Sequence, residues 1–194
     1  MVGTKSFTVK LLLITIVSVA FVSCDIKRTK EIKAEIETLK TQSINIPYTQ
    51  VEKYIGRTIS PIEATDTMSE YKLIVYKDAR ECASCALKNM YYWDMFLDSL
   101  KPYDDICKVA FVFSPERDHI KDLKKVVMHS KFQYPIYIDT CNLFKRLNPH
   151  IPDNPLLHTF LIDGRDSVIL VGNVLDNPRI NELFFEVLKK YKNR

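Results

Sequence analysis

Glycine is scarce in this chain, at 4 of 194 residues. Neither GxGxxG nor GxxxxGK followed by Ser or Thr occurs, so no backbone loop for cradling a nucleotide phosphate can be read. The helix HExxH and the turn GxSxG are missing too, which removes the zinc-protease and hydrolase-elbow classes. Charge of one sign is also lacking. There are 28 basic and 24 acidic side chains, a net charge of +4, and they are scattered. That excludes the basic stripe of a nucleic-acid binder, so no nucleic acid is expected as a partner. A membrane-spanning helix needs roughly 20 apolar residues. The uncharged run Leu11–Val22 has 12. No internal repeat is present.

What is present suits one domain with appendages: 46% of residues are hydrophobic, enough for a real core. Lys5 and Lys10 precede the run Leu11–Val22, and Ser23 and Cys24 follow it. A basic start, an apolar stretch and a small residue before the cut are the parts of a secretory signal. "FVSC" (Phe21–Cys24) resembles the bacterial lipobox. That resemblance implies that Cys24 carries the lipid and becomes the mature N-terminus. An ordinary cleaved signal and an uncleaved anchor are the alternatives. The expected division is a lipoprotein signal peptide over 1–23, a membrane tether over 24–43, a lead-in segment over 44–59, and one domain over 60–194. The tether pattern places Ile32, Ile36 and Leu39 on a narrow apolar stripe among Lys and Glu. The lead-in leaves a strand and a packed segment open.

From Tyr71 onward short apolar runs alternate with amphipathic ones. Lys72–Tyr76, Lys108–Phe113 and Tyr134–Asp139 read as strands. Between them, Ala86, Met90, Trp93, Leu97 and Leu100 mark one helical face, and Ile120, Leu123 and Val127 mark another. Ser114-Pro115 reads as a helix start, and Thr140 as the cap of a short helix ending at Leu147. His158–Asp163 and Ser167–Val171 flank Asp163-Gly164, a hairpin signal. Asn177-Pro178 opens a last helix with Ile180, Leu183, Phe184, Val187 and Leu188 on its apolar side. Helices between strands imply parallel pairing, and the hairpin adds an antiparallel edge.

Cys82 and Cys85 form a CxxC at the first strand-to-helix junction. A thiolate is the nucleophile of disulfide exchange, and the unpaired amides of a helix start favour it. Disulfides persist outside the cytoplasm, so the pair reads as a redox pair more readily than as zinc ligands. A zinc site would want a second ligand pair at matching spacing.

This order of elements, with CxxC at the first junction and "TFLIDGRDSVILVG" near the end, resembles the thioredoxin-like superfamily, in its TlpA/ResA-like, redoxin-type branch. The resemblance covers roughly Ser60 to the C-terminus. It implies an α/β thioredoxin-like fold, a central mixed β-sheet flanked by helices. It implies a thiol-disulfide oxidoreductase that needs no cofactor beyond its own Cys82–Cys85 disulfide. Cys82 would attack and Cys85 would resolve. With export, the partners would be exported protein disulfides or thiols and a separate redox partner, with the membrane held through lipid on Cys24. The rival reading is a non-catalytic binding module, with a copper or zinc site of Cys82, Cys85 and His158 as one form of it, because Sco-type copper carriers place two cysteines and a histidine on this fold. The peroxidase pattern Pro-x-x-x-Thr-x-x-Cys is missing before Cys82.

Glu81, Leu157 and His158 are expected to shape the site, and several positions depart from the family's pattern. Glu81 stands where the family has tryptophan, Leu157 where it has a cis-proline, and Tyr76 where it buries an acid. Glu81 opposes ionisation of Cys82, whereas Lys77 and Arg80 favour it. His158 should lie beside the sulfurs. Cys107, at the far end of a strand, lies about 20 Å from them and reads as a buried thiol. Cys141 shares their edge and reads as structural. His119, His129 and His150 are expected on surfaces or loops.

Overall fold

The structure is a computed structural model describing residues 26–82, 85, 87 and 90–193. The proposed signal peptide, Cys24, Ala83, Ser84 and Ala86 lie outside these. The chain divides into two units after Glu37. The first contributes most of α1 (26–39). The second, from Thr38 onward, holds β1 (Glu52–Ile55), β2 (Thr58–Ser60), α2 (Ala64–Thr67), β3 (Tyr71–Lys77), α3 (Tyr91–Leu100), β4 (Cys107–Phe113), α4 (Ile120–His129), β5 (Ile136–Ile138), α5 (Leu143–Leu147), β6 (Thr159–Asp163), β7 (Val168–Val171) and α6 (Pro178–Lys192).

The strands form one sheet in the order β2-β1-β5-β4-β3-β6-β7. β3, β4 and β5 run parallel; β1, β6 and the two edge strands pair antiparallel. A parallel β3-β4-β5 core reached through helices, with the β6-β7 hairpin on the far side of β3, is the thioredoxin-like arrangement. β3 is buried along its middle on both faces, as a central strand covered on both sides must be. Leu73, Val75, Phe111 and Phe113 point to one face, where Trp93, Phe96, Leu123, Phe184 and Leu188 pack. Ile74, Tyr76, Val112 and Phe160 point to the other, against Phe144, Ile151 and Ile44. Each fully buried Phe contributes about 1.5–3 kcal/mol.

Of the two readings left open for the segment 44–59, the strand is found: it supplies β1 and most of the hairpin to β2, and β1 pairs with β5. Other details differ from expectation. The turn between them puts Gly56 at φ +57, the left-handed region that glycine enters without penalty. α3 begins at Tyr91, with Met90 in a turn before it. Ser114 and Thr140 cap no helix. Ser114 Oγ donates to Asp139, and Asp139 accepts from Phe144 N at 2.8 Å to hold the start of α5. In the β6-β7 hairpin the left-handed residue is Asp166 rather than Gly164. Asp163 Oδ1 shapes that loop, accepting from Arg165 N at 2.9 Å and Ser167 N at 3.0 Å. Asn177 does cap α6, accepting from Arg179 N and Ile180 N.

Candidate active site

The carboxyl ends of β3 and β4 meet the loop that enters β6. Ser114 N donates to Lys77 O at 2.8 Å, and Tyr76 N donates to His158 O at 2.9 Å. β4 lies on one side of β3 and β6 on the other, so the chain reverses its strand order here. In open α/β sheets such a crevice is where ligands bind.

Cys82 and Cys85 lie just beyond the end of β3, joined as a disulfide, and both are exposed. Cys85 is helical, and its backbone N lies 3.3 Å from Cys82 Sγ and donates to it. That bond favours charge on the Cys82 sulfur once the pair is reduced. Cys85 has spent its own amide on it.

Glu81, just before Cys82, is no free negative charge. Lys77 Nζ lies 2.6 Å from Oε2, and His158 Nδ1 lies 3.0 Å from Oε1. Burial opposes ionisation of Glu81, but the bonds from His158 and Lys77 outweigh it and hold its carboxyl below the usual range. His158 is 1% exposed, and its Nε2 lies 2.9 Å from Pro152 O. Each ring nitrogen therefore faces an acceptor oxygen. Lys77 and His158 thus both lie on the carboxylate of the residue next to Cys82. Arg80 stands apart from this cluster, because Asp78 takes its Nε at 3.0 Å. Burial works against an ionised Asp78, and the Arg80 bonds more than compensate.

Tyr76, in place of a buried acid, packs its ring 4.8 Å from Phe144 and 5.0 Å from His158, centroid to centroid. Leu157 is buried, and the described residues contain no cis peptide. Pro155 opens a 3-10 turn capped by Asn154, whose Oδ1 accepts from Leu156 N. The metal alternative of Cys82, Cys85 and His158 is not assembled. Both His158 nitrogens are occupied, and no group of three or more His, Cys, Asp or Glu among the described residues is placed to hold an ion.

Cys107 pairs with Tyr71 at the opposite end of the sheet and is free. Burial pushes its thiol up to about 12. Cys141 is free and exposed, and its N donates to Asp139. His119 and His129 are exposed, as expected. His150 is not: it is buried, and neither ring nitrogen has a partner. Sequence reasoning also missed Asp78 and Asp139. Asp139 was visible only as the last letter of a strand, and Asp78 only by its place two residues before Arg80.

No protein-family profile matches this sequence, and no curated protein does. Solved structures do. Bacterioferritin comigratory protein of Xanthomonas campestris aligns at 13% identity over 77% of this chain and 99% of its own, with a TM-score of 0.47. A thioredoxin-like protein from Bacteroides caccae aligns at 11% over 84% of this chain and 56% of its own, TM-score 0.46. A domain of a possible thiol-disulfide isomerase from Cytophaga hutchinsonii aligns at 14% over 79% and 100%, TM-score 0.42. The fold assignment rests on the strand order itself, not on these likenesses.

Proposed function

We propose that this chain is a thiol-disulfide oxidoreductase in which Cys82 attacks and Cys85 resolves. The observation that carries the reading is the exposed Cys82–Cys85 disulfide at the carboxyl end of β3, with the Cys85 amide aimed at Cys82 Sγ. The amide donor lowers the cost of a Cys82 thiolate, and Lys77 and His158, both bound to Glu81, offset the neighbouring carboxylate that would oppose it. The thiolate opens a substrate disulfide and forms a mixed disulfide. Cys85 then attacks Cys82, releases the second substrate thiol and restores the internal disulfide. No other group is required for the two-electron exchange.

The setting of this activity belongs to the same proposal. The run Leu11–Val22 ending at Ser23-Cys24 supports export and lipid attachment at Cys24. The site would then face outward from a bacterial membrane and act on exported proteins. The activity is tested by reductive turnover of a protein disulfide with a dithiol donor. Turnover by the wild type and its loss in Cys82→Ser support the reading. Equal rates in both, at the level of the donor alone, defeat it. Mass spectrometry of the mature N-terminus tests the setting, which a mature chain with no lipid on Cys24 would overturn.

A further inference from the structure

Cys82 borders a groove of about 350 Å³ that runs toward the segment after β4. Pro115 and Leu123, both buried, underlie it, and the polar side chains of Arg80, Glu116 and His119 border it. The Arg80 guanidinium is only partly used. Asp78 and Asp153 take Nε and Nη2, and among the described residues Nη1 has no partner. Glu116 is similarly open: among the described residues its carboxylate has only His119 Nδ1, at 3.9 Å, and both side chains are exposed. A guanidinium with two spare N–H donors and a carboxylate with spare lone pairs thus stand along the groove that the attacking sulfur borders.

A ligand matched to these groups carries a carboxylate, an ammonium and a disulfide. A protein segment would have to offer the two charges on separate side chains, whereas a free amino-acid disulfide carries both on the carbon next to its CH2–S. Resting on the reading of Cys82 as the attacking thiol, we infer that the groove takes a small zwitterionic disulfide of the cystine type, its carboxylate on Arg80 and its ammonium on Glu116. The volume is at the lower end of small-molecule sites, which suits a ligand of about a dozen heavy atoms.

The exchange balances. In the reduced protein the Cys82 thiolate attacks one cystine sulfur, the cystine S–S bond breaks, and one cysteine leaves as thiolate and takes a proton from water. Cys85 gives up its proton and attacks the Cys82 sulfur of the mixed disulfide. The second cysteine leaves and is protonated, and the Cys82–Cys85 bond reforms. Two electrons pass from the protein dithiol to cystine, giving two cysteines. A dithiol donor restores the protein.

The test uses the full chain, reduced with dithiothreitol and freed of it by gel filtration. Its reoxidation is followed by thiol counting after acid quench, with four disulfides: cystine, cystamine (no carboxylate), 3,3′-dithiodipropionate (no ammonium) and 2-hydroxyethyl disulfide (neither). Each rate is compared between wild type and variant for the same disulfide, so differences in leaving-group chemistry cancel. Glu116→Gln should slow cystine and cystamine about fivefold, the scale of one exposed charge pair, and leave dithiodipropionate unchanged. Arg80→Gln should do the converse with the carboxylates. Arg80 also holds Asp78, so Glu116→Gln carries the test alone if Arg80→Gln does not fold. High salt should erase the selectivity. If all four disulfides respond alike in Glu116→Gln while an insulin disulfide is still reduced, the groove inference falls and the redox reading stands. If neither cystine nor insulin is reduced, both fall.

Discussion

Replacing His158 with leucine should make Cys82 a poorer nucleophile at neutral pH. The substitution removes two bonds at once, Nδ1 to Glu81 at 3.0 Å and Nε2 to Pro152 O at 2.9 Å. Glu81 keeps Lys77 but loses its second partner, so its negative charge weighs more on the adjacent Cys82 thiolate. Between exposed groups such a charge interaction is worth about 0.2–1 kcal/mol. One kcal/mol is about 0.7 of a pKa step, or roughly fivefold in thiolate population below the pKa. Stability falls as well. A charge-assisted hydrogen bond is worth about 1.5–3 kcal/mol, and the remaining Lys77 contact keeps the loss near about 2 kcal/mol. That is a fall in Tm of about 4–8 °C for a unit of this size. The assay is the pH dependence of alkylation of reduced Cys82 by iodoacetamide, with Cys85→Ser as the common background. The profile should move up by as much as about 0.7 pH unit in His158→Leu. His158→Gln, which keeps a donor for Glu81, should move it less and lose less stability. An unmoved profile in a folded His158→Leu protein would refute the role of His158 on Glu81, because the ring would then do no more than fill space.

Two further outcomes follow from groups outside the pair. With the Cys82–Cys85 disulfide intact and the described domain folded, a maleimide should label Cys141, which is exposed, and leave Cys107, which is buried with its thiol pushed up to about 12, until denaturant is added; mass spectrometry of the labelled peptides reads this, and labelling of Cys107 at the rate of Cys141 would contradict it. His150 is held neutral, because burial and then Lys145 push its pKa below the usual histidine value. The unfolded chain therefore takes up the proton first, and stability is lost as pH falls from about 6.5 toward the lowered folded value. His150→Leu should remove that loss and, by deleting two unpartnered nitrogens, stabilise by about 1–3 kcal/mol in urea titrations at neutral pH; a variant less stable than wild type at pH 7 and equally acid-sensitive would show that the ring is satisfied.

The core strands were legible in the sequence because a strand covered on both faces must be apolar throughout, and Lys72–Tyr76 and Lys108–Phe113 are. β1 was not, because Glu52–Ile55 places two buried residues between two half-buried ones and carries a lysine whose charge is neutralised by Asp66, a pairing that only tertiary structure reveals. The redox pair was legible from spacing. The charge state around it was not. Glu81 in sequence is simply an acid next to a cysteine. One of its two partners, His158, lies 77 residues away. Arg80, by contrast, goes to Asp78, and Ser114 to Asp139, so the nearest neighbours in sequence gave the wrong partners.

Which sulfur attacks decides the mechanism. Cys85→Ser in the full chain, exposed to exported proteins of the source cell and resolved on non-reducing gels, should accumulate mixed disulfides through Cys82 that dithiothreitol releases, and Cys82→Ser should accumulate none. Equal trapping by both variants, or by neither, would contradict it.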